Sequence, residues 1–351
     1  MAKILVTGGC GFIGSHTSLL LLEKGYELII LDSNINSSSK VIKKILQILK
    51  SKNIDASSKL SFYKGDVRDK LILDQIFLDS IDSGNKIDGV IHFAGLKSVR
   101  ESTINPLEYW KVNVFGSICL FEIMNKYNCR KLIFSSTASI YGNSDEIPFV
   151  EDCIPQSLNP YTNTKLTVER FLNDMSNSEK IKWNILSLRY FNPIGAHHSK
   201  MLGEEPKGKP NNIFPILLDS VANKKKIYIF GKDWPTPDGT CIRDYIHIED
   251  LAEGHIAALE CIFSKNIGYL NINLGTGEGT SVLELIKIFE KINCVKLIYE
   301  FTKRRAGDCP ILVADNSLAI KTLNWHPTRD LESMCKDGFN WFKDNSETYL
   351  N

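Results

Sequence analysis

The run Thr7-Gly8-Gly9-Cys10-Gly11-Phe12-Ile13-Gly14 constrains this chain more than any other feature. It follows a short, branched apolar stretch and opens onto an apolar helical one. It reads as GxGxxG through Gly9, Gly11 and Gly14, and equally as GxxGxxG through Gly8, Gly11 and Gly14. Glycines at these steps permit a tight turn, close approach of backbone to a pyrophosphate, and close helix–strand packing. The helix behind the loop offers free N–H groups and a positive dipole end to phosphates. Residues 3–7 are predicted as a buried strand, 15–24 as a helix with Gly25 as its cap, and 27–31 as a second strand ending at Asp32. Asp32 lies eighteen residues beyond Gly14, where a carboxylate can accept bonds from the adenosine ribose. An acid there repels a 2′-phosphate and no Arg follows it directly, so the expected cofactor is NAD rather than NADP. Asp66, at the end of a third predicted strand, is placed to reach the adenine.

The alternation of strand and helix continues. Strands are expected over 60–64, 90–93, 131–136 and 183–189, and helices over 41–49, 71–81, 113–126 and 161–173. Residues 1–192 are therefore read as one α/β domain with a doubly wound parallel sheet. Beyond Asn192 the chain becomes loop-rich, and its elements are expected to be shorter and less regular. Residues 193–351 are read as a smaller α/β C-terminal domain for the substrate, with a segment near 240–275 able to return to the first domain.

Composition excludes several function classes. The net charge of +1 over 351 residues gives no field to drive binding to nucleic acid or a membrane surface. No stretch approaches the roughly 20 apolar residues of a spanning helix, and the N-terminus does not read as a signal peptide. Nine cysteines without a CxxC pair suggest reduced thiols and a cytoplasmic protein. No metal site is expected, because His197-His198 is the sole His pair and adjacent residues rarely converge on one ion.

Tyr161 and Lys165 are four apart at the start of a predicted helix and so share a face. A phenol near pKa 10 is a poor base at neutral pH. A lysine ammonium beside it, with a positive nicotinamide ring, would lower that pKa. Ser135-Ser136-Thr137 ends the preceding strand and offers hydroxyls that can orient a substrate alcohol.

Together TGGxGFIG, the acid after the second strand, the SST run and YxxxK resemble the extended short-chain dehydrogenase/reductase family, whose fold is Rossmann-type. Within it the chain is most similar to the UDP-glucose 4-epimerase group. The strings that carry this likeness include HFAGLK at 92–97, LRYFNPIGA at 188–196, DGTCIRDYIH at 238–247 and RRAGD at 304–308. The resemblance spans essentially the whole chain.

It implies reversible interconversion of UDP-galactose and UDP-glucose at C4 with tightly bound NAD, in a homodimer formed through a helix pair, with 113–126 and 161–173 as candidates. Tyr161 is implied as the base, with Lys165 and Thr137 as catalytic partners. Gly8, Gly11, Phe12, Ile13 and Gly14 would line the pyrophosphate. Asp32, Asn36 and Ser37 would hold the ribose, and Asp66 and Val67 frame the adenine. Phe93, Ala94, Gly95 and Lys97 would pass beneath the cofactor, with Asn113, Ser135, Tyr190 and Phe191 nearby. For the substrate the resemblance implies Lys97, Thr137, Tyr161, Asn192, Asn211, Asn212, Tyr228, Ile229, Phe230, Arg243, Arg305, Asp308 and Leu312. The two arginines suit forked contacts to a diphosphate.

Two departures stand out. Thr137 replaces the more common Ser and keeps its donor and acceptor. Leu312 stands where the group carries either a small residue that admits an N-acetyl group or a Tyr that excludes it, so UDP-GlcNAc and UDP-GalNAc stay open as substrates. Rival readings fit the residues less well. A UDP-sugar 4,6-dehydratase needs an acid–base pair beside the SST run, where this chain has Ala138-Ser139. A non-catalytic NAD-sensing protein would have no need of the intact Tyr161, Lys165 and Thr137.

Overall fold

A computed structural model describes residues 2–142, 146–178, 181–208, 210–305 and 307–345. The chain divides into two compact units. The first comprises 1–140, 157–189 and 252–272, and the second 141–156, 190–251 and 273–351.

The first unit is built on a seven-stranded parallel sheet. Six strands are β1 (Lys3–Thr7), β2 (Glu27–Asp32), β3 (Leu60–Lys64), β4 (Ile87–His92), β5 (Lys131–Thr137) and β6 (Asn184–Tyr190). Their order is β3-β2-β1-β4-β5-β6, and the strand Tyr269–Leu274 closes the far side against β6. β1 pairs in parallel with both β2 and β4, with Thr7 opposite Leu31 on one side and His92 on the other. Strand order therefore reverses between β1 and β4, where ligands of doubly wound sheets bind. The strands read as nearly unbroken apolar runs because helices cover both faces. Leu5, Val90, Leu132, Phe134 and Ile185 are fully or almost fully buried in this core.

The loop–helix unit behaves as the glycines dictate. Helix α1 runs Phe12–Glu23, starting three residues before the predicted onset. Its end is a Schellman motif: Gly25 N–H donates to the Leu22 carbonyl and Tyr26 N–H to that of Leu21, with Gly25 at φ 90°. Only a residue without Cβ adopts that conformation freely.

Asn184 fastens the returning segment. Its amide donates to the carbonyls of Ile262 and Lys265 and accepts from Ile267 N–H. The helix feeding that segment, Ile248–Ser264, is 17 residues long. With the 15-residue helix Leu331–Asn345, it corrects the expectation that elements beyond 192 are short. Both helices bury an apolar face, including Leu251, Leu259, Met334, Phe339 and Phe342.

The second unit has its own core, in which Phe214, Leu217, Phe289, Trp341 and Phe342 are buried. Its strands are short. Ile227–Phe230 pairs in parallel with Tyr299–Thr302, and Ile242–Arg243 in parallel with Ile311–Leu312. The stretch 141–156 joins this unit through Phe149, whose N–H donates to Val313 and whose carbonyl accepts from Asp315.

Candidate functional site

In the first unit the candidate cofactor residues gather at the carboxyl ends of β1, β2 and β4. A Cβ on Gly8 would lie 2.7 Å from Ala94 N, and one on Gly14 would lie 2.4 Å from the Gly8 carbonyl oxygen. Any side chain at either position would force the loop off the sheet. Gly11 caps α1 without a side-chain bond, and no acid stands in the first turn. The N–H groups of Phe12 and Ile13 therefore keep their donors for an anion. This is a cradle suited to a pyrophosphate.

Asp32 is 7% exposed and tightly held. Its carboxylate accepts from Cys10 N–H at 2.9 Å, Asn34 N–H at 2.8 Å and Ser37 Oγ at 2.7 Å. Ser37 thus bonds the acid itself, while Asn36 is exposed. Asp66 is engaged more fully than the sequence suggested. Arg68 donates to it from Nε at 3.0 Å and Nη2 at 2.7 Å, and this guanidinium holds its carboxyl below the usual range. Val67 is buried beside it, against Gly116.

The loop after β4 carries Phe93, Ala94 and Gly95, all partly buried, and Lys97, which is exposed. Phe93 tilts against His255, with ring centroids 4.9 Å apart. Asn113 pins this loop. Its Oδ1 accepts from Leu96 N–H at 2.8 Å, and its Nδ2 donates to the Leu96 carbonyl and to Thr164 Oγ1, each at 3.0 Å. Asn113 sits in a π-helical turn, Trp110–Phe115, where the predicted regular helix begins. Such turns re-aim one side chain without ending the helix. Behind it a buried polar chain runs from Thr7 Oγ1 to His92 Nδ1 (2.6 Å) and from His92 Nε2 to Ser117 Oγ (2.9 Å). Burial pushes the His92 imidazole down to about 3, so it stays neutral.

Tyr161 and Lys165 lie in the helix Pro160–Ser176. Asn159 and Thr162 form a reciprocal capping box there, and Pro160 fills the first position. These local signals fix the first turn and so aim Tyr161. Thr137, at the end of β5, is 8% exposed, and its hydroxyl stands near that of Tyr161. Burial pushes the phenol up to about 12, and the Thr137 hydroxyl works against that rise. Lys165 is 5% exposed, and its Nζ donates to the Ser135 carbonyl at 2.7 Å. Burial pulls this ammonium down to about 8. Sequence reasoning missed its neighbour Glu169, four residues on, which is ion-paired with Arg189 at 2.8 Å. The four-residue spacing was the available signal.

The second unit holds most of the expected substrate residues. Arg243 Nη1 donates to the carbonyls of Ile242 and Cys309 at 2.8 and 3.0 Å. Its Nη2 lies 3.9 Å from Asp308. Arg305 grips the same acid at 2.6 and 3.1 Å, and its guanidinium lies 5.3 Å from the Phe230 ring centroid. Asp308 thus gathers Arg243 and Arg305, with Phe230 beside the latter. Along Ile227–Phe230, Tyr228 and Phe230 are exposed while Ile229 is buried. Leu312 is 8% exposed and stands opposite Arg243 in the parallel pairing. Asn212 caps the helix Ile213–Asn223, and its amide donates to Glu204 at 3.2 Å. Asn211 is exposed. Tyr190 and Phe191 are buried, and Asn192 N–H donates to the Asp244 carbonyl.

His197 and His198 do converge with Glu249, their ligand atoms lying within 4.8 Å of one another. Ser199 N–H donates to His197 Nδ1. The ring proton therefore sits on Nε2, facing Glu249, and the arrangement reads as a hydrogen-bonded clamp.

Known proteins resemble the chain over nearly its whole length. The chain is 45% identical over 349 residues to the bifunctional UDP-glucose 4-epimerase and UDP-xylose 4-epimerase 1 of Pisum sativum, covering 99% of this chain and 97% of the relative. Two solved structures superimpose closely. The UDP-glucose 4-epimerase of Stenotrophomonas maltophila, with bound NAD and formylated UDP-arabinopyranose, has a TM-score of 0.92 at 39% identity, covering 99% of both chains. The UDP-glucose 4-epimerase of Bifidobacterium longum, in complex with NAD+ and UDP, has a TM-score of 0.90 at 41% identity, covering 99% of this chain and all of that one. Residues 4–275 match the model of the NAD dependent epimerase/dehydratase family, and the chain belongs to that family.

Proposed function

We propose that this chain interconverts UDP-galactose and UDP-glucose by inverting C4 through a 4-keto sugar. The observation that carries the reading is the grouping of Tyr161, Thr137 and Lys165 in a unit that also bears the glycine cradle. NAD, when bound, supplies the acceptor that takes the C4 hydride and gives it back. Tyr161 removes and returns the 4-hydroxyl proton, directly or through Thr137. Lys165, held by the Ser135 carbonyl, lends positive charge that makes the phenolate accessible. Arg243 and Arg305 take the diphosphate, and Tyr228 and Phe230 offer exposed faces to the base. Strong nucleotide binding with weak sugar binding suits a reaction whose sugar must present both faces.

The free state of all nine cysteines, eight of them buried, supports a reducing, cytoplasmic setting. Among the described residues no helix is long and apolar enough to cross a membrane. A homodimer is supported by Leu107, Trp110, Phe115 and Phe171, which are large, apolar and 38–71% exposed. They lie on the helical stretches around 106–126 and 160–176.

The test is incubation of purified protein with UDP-galactose and no added NAD. UDP-glucose should accumulate toward a fixed ratio. Its absence, even with NAD supplied, rejects the reading.

A further inference from the structure

Lys165 is useful to Tyr161 only while it carries a charge, yet it is almost fully buried. His92 of β4 is neutral, and the Phe134 ring lies 4.9 Å from Lys165 Nζ. Gly95, in the loop after β4, approaches it closely: a Cβ there would lie 3.6 Å from Lys165 Nζ. On its own helix stand Tyr161 and Glu169. The carboxylate that favours the charged lysine is Glu169. It is one helical turn away on the same face.

Glu169 is 3% exposed and firmly held. Ser136 Oγ donates to it from β5 at 2.5 Å. Arg189 of β6 donates through Nε at 3.1 Å and Nη2 at 2.8 Å. Tyr269, from the closing strand, lies within range of its charge. Three strands thus converge on one acid. A buried Arg–Glu pair alone contributes little net stability, so a second role is worth seeking. We infer that Glu169, clamped by Arg189 and Ser136, is a positioning residue that keeps the buried Lys165 ammonium charged and in place, and so sets the upper pH limit of turnover.

This rests on the proposed epimerisation. If wild-type protein shows no turnover, that reading fails first. Given turnover, the experiment is the pH–rate profile of Glu169→Gln, the double variant Glu169→Gln with Arg189→Met, and Glu169→Asp. Loss of the carboxylate lowers the Lys165 pKa, so the alkaline limb moves to lower pH, by about one unit or more. Glu169→Gln alone keeps the Arg189 charge without its carboxylate and shifts furthest, or fails to fold. The double variant removes both charges and keeps a smaller shift in the same direction. Glu169→Asp retains the limb near its wild-type position. A double variant with a lowered rate but an unmoved limb overturns the inference and makes the pair a neutral structural clamp. Should both Gln variants fail to fold, the wild-type Lys165 side-chain nitrogen, titrated by NMR with Glu169→Asp as comparison, decides it. An apparent Lys165 pKa well below 8 overturns the inference, and one at or above 8 in both proteins supports it.

Discussion

Replacing Thr137 by Val removes one hydroxyl at nearly constant volume. That hydroxyl stands near Tyr161, opposes the rise that burial imposes on the phenol, and can donate to the phenolate once it forms. It also accepts from Ser139 N–H at 3.2 Å. A hydrogen bond to a group that becomes charged contributes about 1.5–3 kcal/mol. At about 1.36 kcal/mol per unit, its loss lifts the Tyr161 pKa by roughly 1–2 units. The sign follows directly. Tyr161 must be deprotonated to act, and below its pKa the phenolate fraction falls tenfold per unit. The acidic limb of the rate profile therefore moves to higher pH, and turnover at pH 7 falls about 10- to 100-fold. UDP-galactose turnover measured from pH 6 to 10 tests this, with Thr137→Ser as the control that keeps the hydroxyl. If Val turns over at the wild-type rate at pH 7, or Ser loses as much as Val, the Thr137 hydroxyl does not tune the base.

Three further outcomes are expected. Tyr161→Phe should abolish turnover while purified protein still carries NAD, read by absorbance after denaturation; loss of NAD as well would make the tyrosine a cofactor anchor. Gly14→Ala places a Cβ 2.4 Å from the Gly8 carbonyl oxygen; it should destabilise the fold by about 1–3 kcal/mol and deplete retained NAD, and unchanged occupancy would contradict the close packing assigned to this loop. Leu312→Tyr enlarges a buried position opposite Arg243 and should depress turnover of UDP-GlcNAc relative to UDP-glucose; equal ratios in both proteins would remove Leu312 from control of access.

The parts of the fold legible in the sequence are those that local physics decides. The β1–α1–β2 unit announces itself through branched residues, glycines and Asp32. The helix that carries Tyr161 is expected from 161 and begins one residue earlier, at Pro160. The helices Val99–Ile104 and Pro106–Tyr109 were invisible for a physical reason. Val99, Ile104 and Leu107 are 40–71% exposed, so no inward apolar stripe reveals a helical period. The π-helical turn at Asn113 has no periodic signature either. At the site, the glycines, Tyr161 and Lys165 could be read directly. The engagement of Asp66 by Arg68 and of Glu169 by Arg189 could not, because the first depends on loop geometry and the second on how the helix Pro160–Ser176 packs against β6.

The return of 252–272 to the first unit has a consequence for biosynthesis. Every residue of β6 is buried, and one of its two flanking strands is Tyr269–Leu274. While the ribosome is still adding the intervening residues, β6 presents an open, apolar hydrogen-bonding edge, the kind of surface that pairs with other chains. The nucleotide-binding sheet can be completed only after about three quarters of the polypeptide has emerged. A nonsense mutation anywhere between 191 and 268 would therefore yield not half an enzyme but an aggregation-prone fragment.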